Sequence, residues 1–177
     1  HPGAQIVPGV FEILVAFVVD PAQAVFGGIR FNHDTRHVEQ WPDQGWAVAL
    51  RALDKASWQA DCVADVPLQV SATVYAFDPS VRTAWLDADR AFFNPSSLCL
   101  RVLGQEEAVH RIELGPLPDG WQVGTAMRRV GHGYEAAGYD ELVDHPFEIG
   151  PWRAVDFDAT GVPHEIVLAG AWPNADL

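Results

Sequence analysis

His164 and Glu165 are adjacent, and a histidine followed by a glutamate opens the helical HExxH pattern in which two imidazoles one turn apart grip a single zinc. The second imidazole is missing, because Leu168 holds that position, and residues 162–169 read as a strand, so the pair predicts no zinc site. Asp156, Asp158 and Thr160, followed by Gly161, set oxygens and a glycine at the first, third, fifth and sixth places of a calcium loop. The twelfth place, where a bidentate glutamate belongs, is Val167, and a plain hairpin between two strands is expected instead. Asp140, Glu141, Asp144, His145 and Glu148 form the densest acidic patch that includes an imidazole. Carboxylates with a histidine suit a transition metal, but Pro146 interrupts any helix that would align them, so a solvated or interface-facing loop is expected. His132 lies between Gly131 and Gly133 and reads as a loop residue.

Nucleophilic chemistry finds no better support. Cys62 and Cys99 lack CxxC spacing, which excludes a thiolate zinc site. Two separate buried thiols are expected, ahead of a disulfide. There is no GxSxG elbow, no phosphate-cradling glycine loop and no Cys–His signature. The seven tryptophans are scattered from Trp41 to Trp172 and are expected mostly in the core or at sheet edges; a sugar-stacking platform would need them in a row.

The elements that must position these residues are mainly strands. Leu68, Val70, Ala72, Val74 and Ala76 alternate with Gln69, Ser71, Thr73 and Tyr75, the period of a half-buried antiparallel strand. Residues 10–19 are almost wholly apolar and predict a strand covered on both faces; 46–53, 97–103, 109–114, 121–127, 152–159 and 162–169 are further strand candidates. Turn pairs such as Asp78-Pro79, Asn94-Pro95 and Thr160-Gly161 separate them. Residues 139–143 predict one short helical turn, and 27–41 read as loop. The fold class is therefore all-β: an antiparallel sandwich or a saddle-like pair of sheets. Residues 80–95 are too charged for a core strand and too aromatic for a solvent loop, which predicts a long ordered connection. Its guanidiniums need carboxylates, and Arg82 is expected to pair with Asp87 or Asp89, after which Asn94-Pro95 turns the chain into a strand carrying Leu98, Leu100 and Val102.

Composition bounds the rest. The chain has 177 residues, 24 Asp and Glu against 11 Lys and Arg, and a formal net charge of −13. That is one domain's length, and the charge repels phosphate backbones and anionic lipid, so nucleic-acid and membrane partners are not expected. The longest apolar run, residues 13–19, is far shorter than the ~20 residues needed to cross a bilayer. Met127 is the only methionine and the chain opens His1-Pro2-Gly3, so an excised piece of a longer protein is expected. No signal-peptide pattern is visible, and the cytoplasm is the default expectation for the compartment.

The run SVRTAWLDADRAFFNPSSLCLRVLG, residues 80–104, resembles the N-terminal domain of the glycyl-aminopeptidase family of zinc metallopeptidases, which carries a similar "VR-A-LD---FFN-SSL" signature. Residues 54–58 (DKASW), 139–150 (YDELVDHPFEIG) and 161–170 (GVPHEIVLAG) resemble the same family in the same order, and Asp34-Thr35-Arg36-His37-Val38 answers its "FARHV" stretch. The first thirty residues depart from it: the Trp-x-Pro-Gly-Ser-Tyr motif is missing and Val25-Phe26-Gly27-Gly28-Ile29-Arg30 stands in its place. The resemblance implies a single β-rich domain over residues 1–170, with 171–177 starting a linker to a thermolysin-like catalytic domain, often followed by a PDZ domain. Zinc, HExxH and a glutamate ligand belong to that catalytic domain, and none of them has a counterpart here; no cofactor is expected in this chain. The implied role is non-catalytic, with the catalytic domain of the same chain as partner and peptide substrate met only indirectly at the cleft. Candidate contact residues are Arg82, Asp87, Asp89 and Asn94 in the charged connection, and Tyr139, Asp140, Asp144 and His145 in the acidic loop, whose carboxylates could meet a substrate's α-ammonium. Two rival readings are a free-standing carbohydrate-binding β-sandwich and a self-sufficient metalloenzyme using His132, His145 or His164.

Overall fold

The computed structural model describes residues 10–18, 23–27, 36–40, 46–47, 49–54, 56–61 and 67–170. The alternating segment around Val70 forms β7 (Pro67–Tyr75), and Leu68, Val70 and Val74 are buried on one face as the period requires. On one side β7 pairs with β1 (Val10–Val18), from Val10↔Tyr75 to Val18↔Pro67. On the other it pairs with β3 (Arg36–Gln40), beyond which lies β4 (Trp46–Ala47). β3 corrects the expectation of a loop over 27–41. The segment has no apolar alternation, yet the second edge of β7 offers backbone donors and acceptors that must be paired, and β3 meets them from Arg36↔Ala72 to Gln40↔Leu68.

A second sheet orders β10 (Arg101–Val102), β2 (Gln23–Gly27), β6 (Ser57–Asp61) and β5 (Leu50–Ala52). The core lies between two others. One runs β12 (Gln122–Gly124), β15 (Phe147–Gly150), β9 (Ala91–Phe93), β8 (Ala84–Leu86); the other runs β11 (His110–Glu113), β14 (Gly133–Ala136), β13 (Arg128–Val130). Phe147 is fully buried, stacks on its cross-strand partner Phe93 at 4.8 Å, and meets Tyr134 edge-on at 5.2 Å. Both are favourable aromatic geometries, and the second joins the two sheets. The strand order is all-β, distributed over several small antiparallel sheets.

Residues 80–95 correct the sequence reading. They are not a connection but a hairpin, β8 to β9, in register from Ala84↔Phe93 to Leu86↔Ala91. Of the charges that argued against a strand, Asp87, Asp89 and Arg90 sit in its turn and Arg82 precedes it, while Ala84, Leu86, Ala91 and Phe93 point into the core. Asn94 then caps α1 (Pro95–Leu98), with its Oδ1 accepting the Ser96 N–H at 3.0 Å and Pro95 at the first helical position. This displaces the strand expected from residue 97, which shrinks to β10. The helical turn expected at 139–143 is α2 (Tyr139–Val143).

The last two strands agree with expectation: β16 (Trp152–Ala159) and β17 (Val162–Ala169). Thr160 and Gly161 between them both have positive φ, 54° and 79°, the two-residue turn whose twist suits a hairpin, and Asp158 Oδ1 accepts the Gly161 N–H at 2.8 Å. The calcium-like spacing is thus a hairpin turn. The expectations for Cys62, for the covering of residues 10–19 and for a linker at 171–177 lie outside the described residues.

Because Phe147 joins both core sheets, Phe147→Ala should cost about 3–5 kcal/mol in urea denaturation, at the upper end for a single core truncation.

Candidate functional site

Two groups of charged residues were singled out from sequence, and they meet different fates. In the β8–β9 turn, Asp87 is the organiser. Its Oδ1 accepts the backbone N–H groups of Asp89 and Arg90, each at 2.8 Å, and its Oδ2 accepts the indole N–H of Trp85 at 2.9 Å. Burial alone would push the Asp87 carboxyl up, but these hydrogen bonds, with the nearby Arg90 guanidinium, hold it below its ordinary 3.8. The expected Arg82 pairing with Asp87 or Asp89 does not form. Arg82 is exposed, its backbone N–H donates to Ser80 Oγ at 3.3 Å, and Asp87 is already committed to its own turn. Asp89 is exposed, and Asn94 is occupied as the helix cap.

The ion pair of this region instead crosses the sheet. Arg90 Nη2 donates to Glu148 Oε2 at 2.9 Å, joining the turn after β8 to β15. Glu148 is only 18% exposed in its side chain, and its Oε1, Arg90 Nε and Trp152 Nε1 are buried without hydrogen-bond partners. Burial raises the Glu148 carboxyl above its ordinary 4.5, with the Arg90 charge and hydrogen bond opposing only in part. A half-buried carboxylate of raised affinity for protons is a recurring feature of acid–base sites. Here Arg90 is its hydrogen-bond partner among the described residues, and no thiol or imidazole is bonded to it.

The acidic loop is more open. Asp140 and Asp144 are exposed, and Glu141 Oε2 reaches back to the Ala137 N–H at 2.6 Å, satisfying a donor just ahead of α2. His145 Nδ1 lies 2.6 Å from the Glu141 carbonyl, which can only accept, so Nδ1 carries the hydrogen. Tyr139 faces inward: it is buried, its hydroxyl donates to the Cys99 carbonyl at 3.3 Å, and burial pushes its phenol up. The Cys99 thiol is free and packs against the core, where burial raises it to about 12, outside the range of a reactive thiolate. His110 and His164 likewise spend Nδ1 on the carbonyls of Ala108 and Val162, and His132 is exposed. Among the described residues no group of three or more His, Cys, Asp or Glu side chains is placed to hold a metal. Trp58, Trp85, Trp121 and Trp152 are each half-buried, not ranged on a surface.

Sequence reasoning missed the Arg90–Glu148 pair, because its members lie 58 positions apart. It also missed an aromatic edge in which Phe77 stacks on Trp85 at 4.4 Å and Tyr75 follows at 6.1 Å. The signal for that edge was present: Tyr75 and Phe77 occupy outward positions alternating with buried Val74 and Ala76.

With this geometry in place, the comparisons with known proteins can be read. The sequence matches the Peptidase M61 N-terminal domain over residues 35–151. The chain belongs to that family. The charged hairpin, the Arg90–Glu148 pair and the acidic loop all lie inside the matched M61 segment, whereas β16 begins one residue after it ends. The fold is similar to the crystal structure of an aminopeptidase N family protein from Idiomarina loihiensis, at 30% identity and a TM-score of 0.79. That match covers 92% of this chain but 30% of the other, so the M61 domain described here corresponds to less than a third of that protein's length. No curated protein matches the chain.

Asp87→Asn keeps an oxygen for the two backbone N–H groups but turns an NH2 toward the Trp85 indole. It should cost about 0.5–1.5 kcal/mol in urea denaturation, with Asp87→Ala costing more, about 1–3 kcal/mol. Both variants should also lose the stability that a depressed carboxyl supplies, which is present above pH 3.8 and vanishes as pH falls through the lower folded value. Glu148 has the opposite sign. Its folded value is raised, so its contribution is largest below 4.5 and is lost as pH climbs from there through the folded value. The stability of wild type minus that of Glu148→Gln should therefore decline with rising pH across that window, and a flat difference would contradict the raised value.

Proposed function

We propose that this chain is the non-catalytic N-terminal domain of a zinc-dependent metallo-aminopeptidase of the glycyl-aminopeptidase type. In this reading it packs against a thermolysin-like catalytic domain in the same polypeptide and helps wall the substrate cleft. The match to the Peptidase M61 N-terminal domain carries the reading, and the likeness to an aminopeptidase N family protein supports a hydrolase as parent. The metal, and a PDZ domain where present, would belong to the rest of the parent.

The part of this domain best suited to a substrate is the exposed pair Asp140 and Asp144. An aminopeptidase must recognise an α-ammonium group, and carboxylates at the cleft rim would attract it at modest strength. Asp140→Asn with Asp144→Asn in the full-length parent should raise KM for a glycyl-anilide about two- to five-fold with kcat unchanged. In the same assay the parent should hydrolyse the anilide and hold zinc, and the 177-residue chain should do neither. Turnover by the 177-residue chain alone would refute the scaffold reading; unchanged KM and kcat in the double variant would refute the role of the loop.

A further inference from the structure

The β16–β17 hairpin takes no part in the functions considered so far. Successive residues on each strand point to opposite faces, and the register Val155↔Ile166 and Phe157↔His164 sorts the side chains into two sets. Val155, Phe157, Val162, Ile166 and Leu168 share one face with Arg153 and His164, while Asp156, Asp158 and Glu165 share the other. The acidic face is the one that anchors the hairpin. Near its root, Val167 and Trp152 lie on that side and press on Gly124 of β12, where an added Cβ would meet them at 3.2 and 3.6 Å. The apolar face therefore turns away from the domain. Phe157, Val162 and Ile166 on it are 43%, 53% and 43% exposed.

This is an unfinished piece of structure. Among the described residues the sheet has two strands. A two-stranded ribbon of this kind is marginal in water, and a contiguous apolar face marks a surface meant to be covered. The M61 N-terminal match ends at residue 151, immediately before β16. The similar aminopeptidase N family protein devotes most of its chain to sequence that this one does not include.

We propose that β16–β17 is the first hairpin of the next module of the parent chain, which covers the Val155, Phe157, Ile166 and Leu168 face with its own apolar layer. The inference rests on the reading of this chain as the N-terminal part of a longer peptidase. It moves the domain boundary from residue 170 to residue 151 and makes the hairpin the mechanical joint between the two modules. An open acidic face rooted on β12 and an apolar face sunk in its neighbour would couple their orientation through one rigid ribbon.

Hydrogen exchange on the 177-residue chain and on the full-length parent tests this directly. Amides of residues 152–169 should exchange at least about ten-fold more slowly in the parent. Ile166→Asp should leave the melting temperature of the 177-residue chain within about 1 °C and lower that of the parent by several degrees. Should the parent variant fail to fold, the exchange comparison on the two wild-type proteins still decides. Equal exchange in both proteins would overturn the proposal. So would a dimer of the full-length parent, seen by light scattering, that Ile166→Asp dissolves, since the face would then belong to a second copy. Turnover is read separately: a parent that protects the hairpin yet cleaves no glycyl-anilide would refute the peptidase reading and leave the joint standing.

Discussion

Phe147 must be buried, and the rest of the domain is arranged around that requirement. It lies on a strand flanked by β12 and β9, stacked on Phe93 within its own sheet and edge-on to Tyr134 of the sheet opposite. Fixing this ring fixes β15, and a strand points successive side chains to opposite faces. Glu148 is therefore turned out of the core toward Arg90, while Ile149 returns to it. The same strand is preceded by α2 and the acidic loop and followed by the final hairpin. One aromatic contact thus sets the position of the ion pair, the exposed carboxylates and the root of β16 together.

Electrostatics is handled locally because the net charge leaves little choice. With so few cations, several arginines are shared or placed at a junction. Arg111 and Arg128 both address Glu135, at 3.9 and 2.8 Å, and Arg101 holds Glu106 at 2.9 Å beside the turn that leads to β11. Carboxylates without a cation are satisfied by backbone N–H groups, as Asp87, Asp54 and Asp158 are. Such bonds need no long-range partner and close a turn at the same time. The acidic groups left over, Asp140 and Asp144 among them, stay in water, where an unpaired charge costs little.

The chain belongs to the M61 N-terminal domain family, with a buried core and a β16–β17 ribbon at its end. Inside the family segment a core of buried apolar side chains, from Val74 to Ile149, holds the sheets together. Past residue 151, Phe157, Val162 and Ile166 are exposed on a ribbon that among the described residues has two strands.

Much was legible from the residues alone. Period two located β7, β16 and β17, because alternation is a local consequence of the pleat. Pro146 and the acidic run before it placed α2, and Leu168 in the position of a second histidine disposed of the zinc pattern without any coordinates. The family resemblance was carried by the ordered run of residues 80–104. What the sequence could not decide was which partner each group would choose. Arg82 and Asp87 are close along the chain, yet Arg90 and Glu148 are the pair, because neighbouring strands bring distant residues within 2.9 Å while a turn commits Asp87 to its own backbone. β3 was invisible for the same reason: its side chains carry no signal, and its existence depends on the hydrogen-bonding edge of a strand more than thirty residues away. Local pattern determines the conformation of a segment; only packing in three dimensions determines what that segment touches.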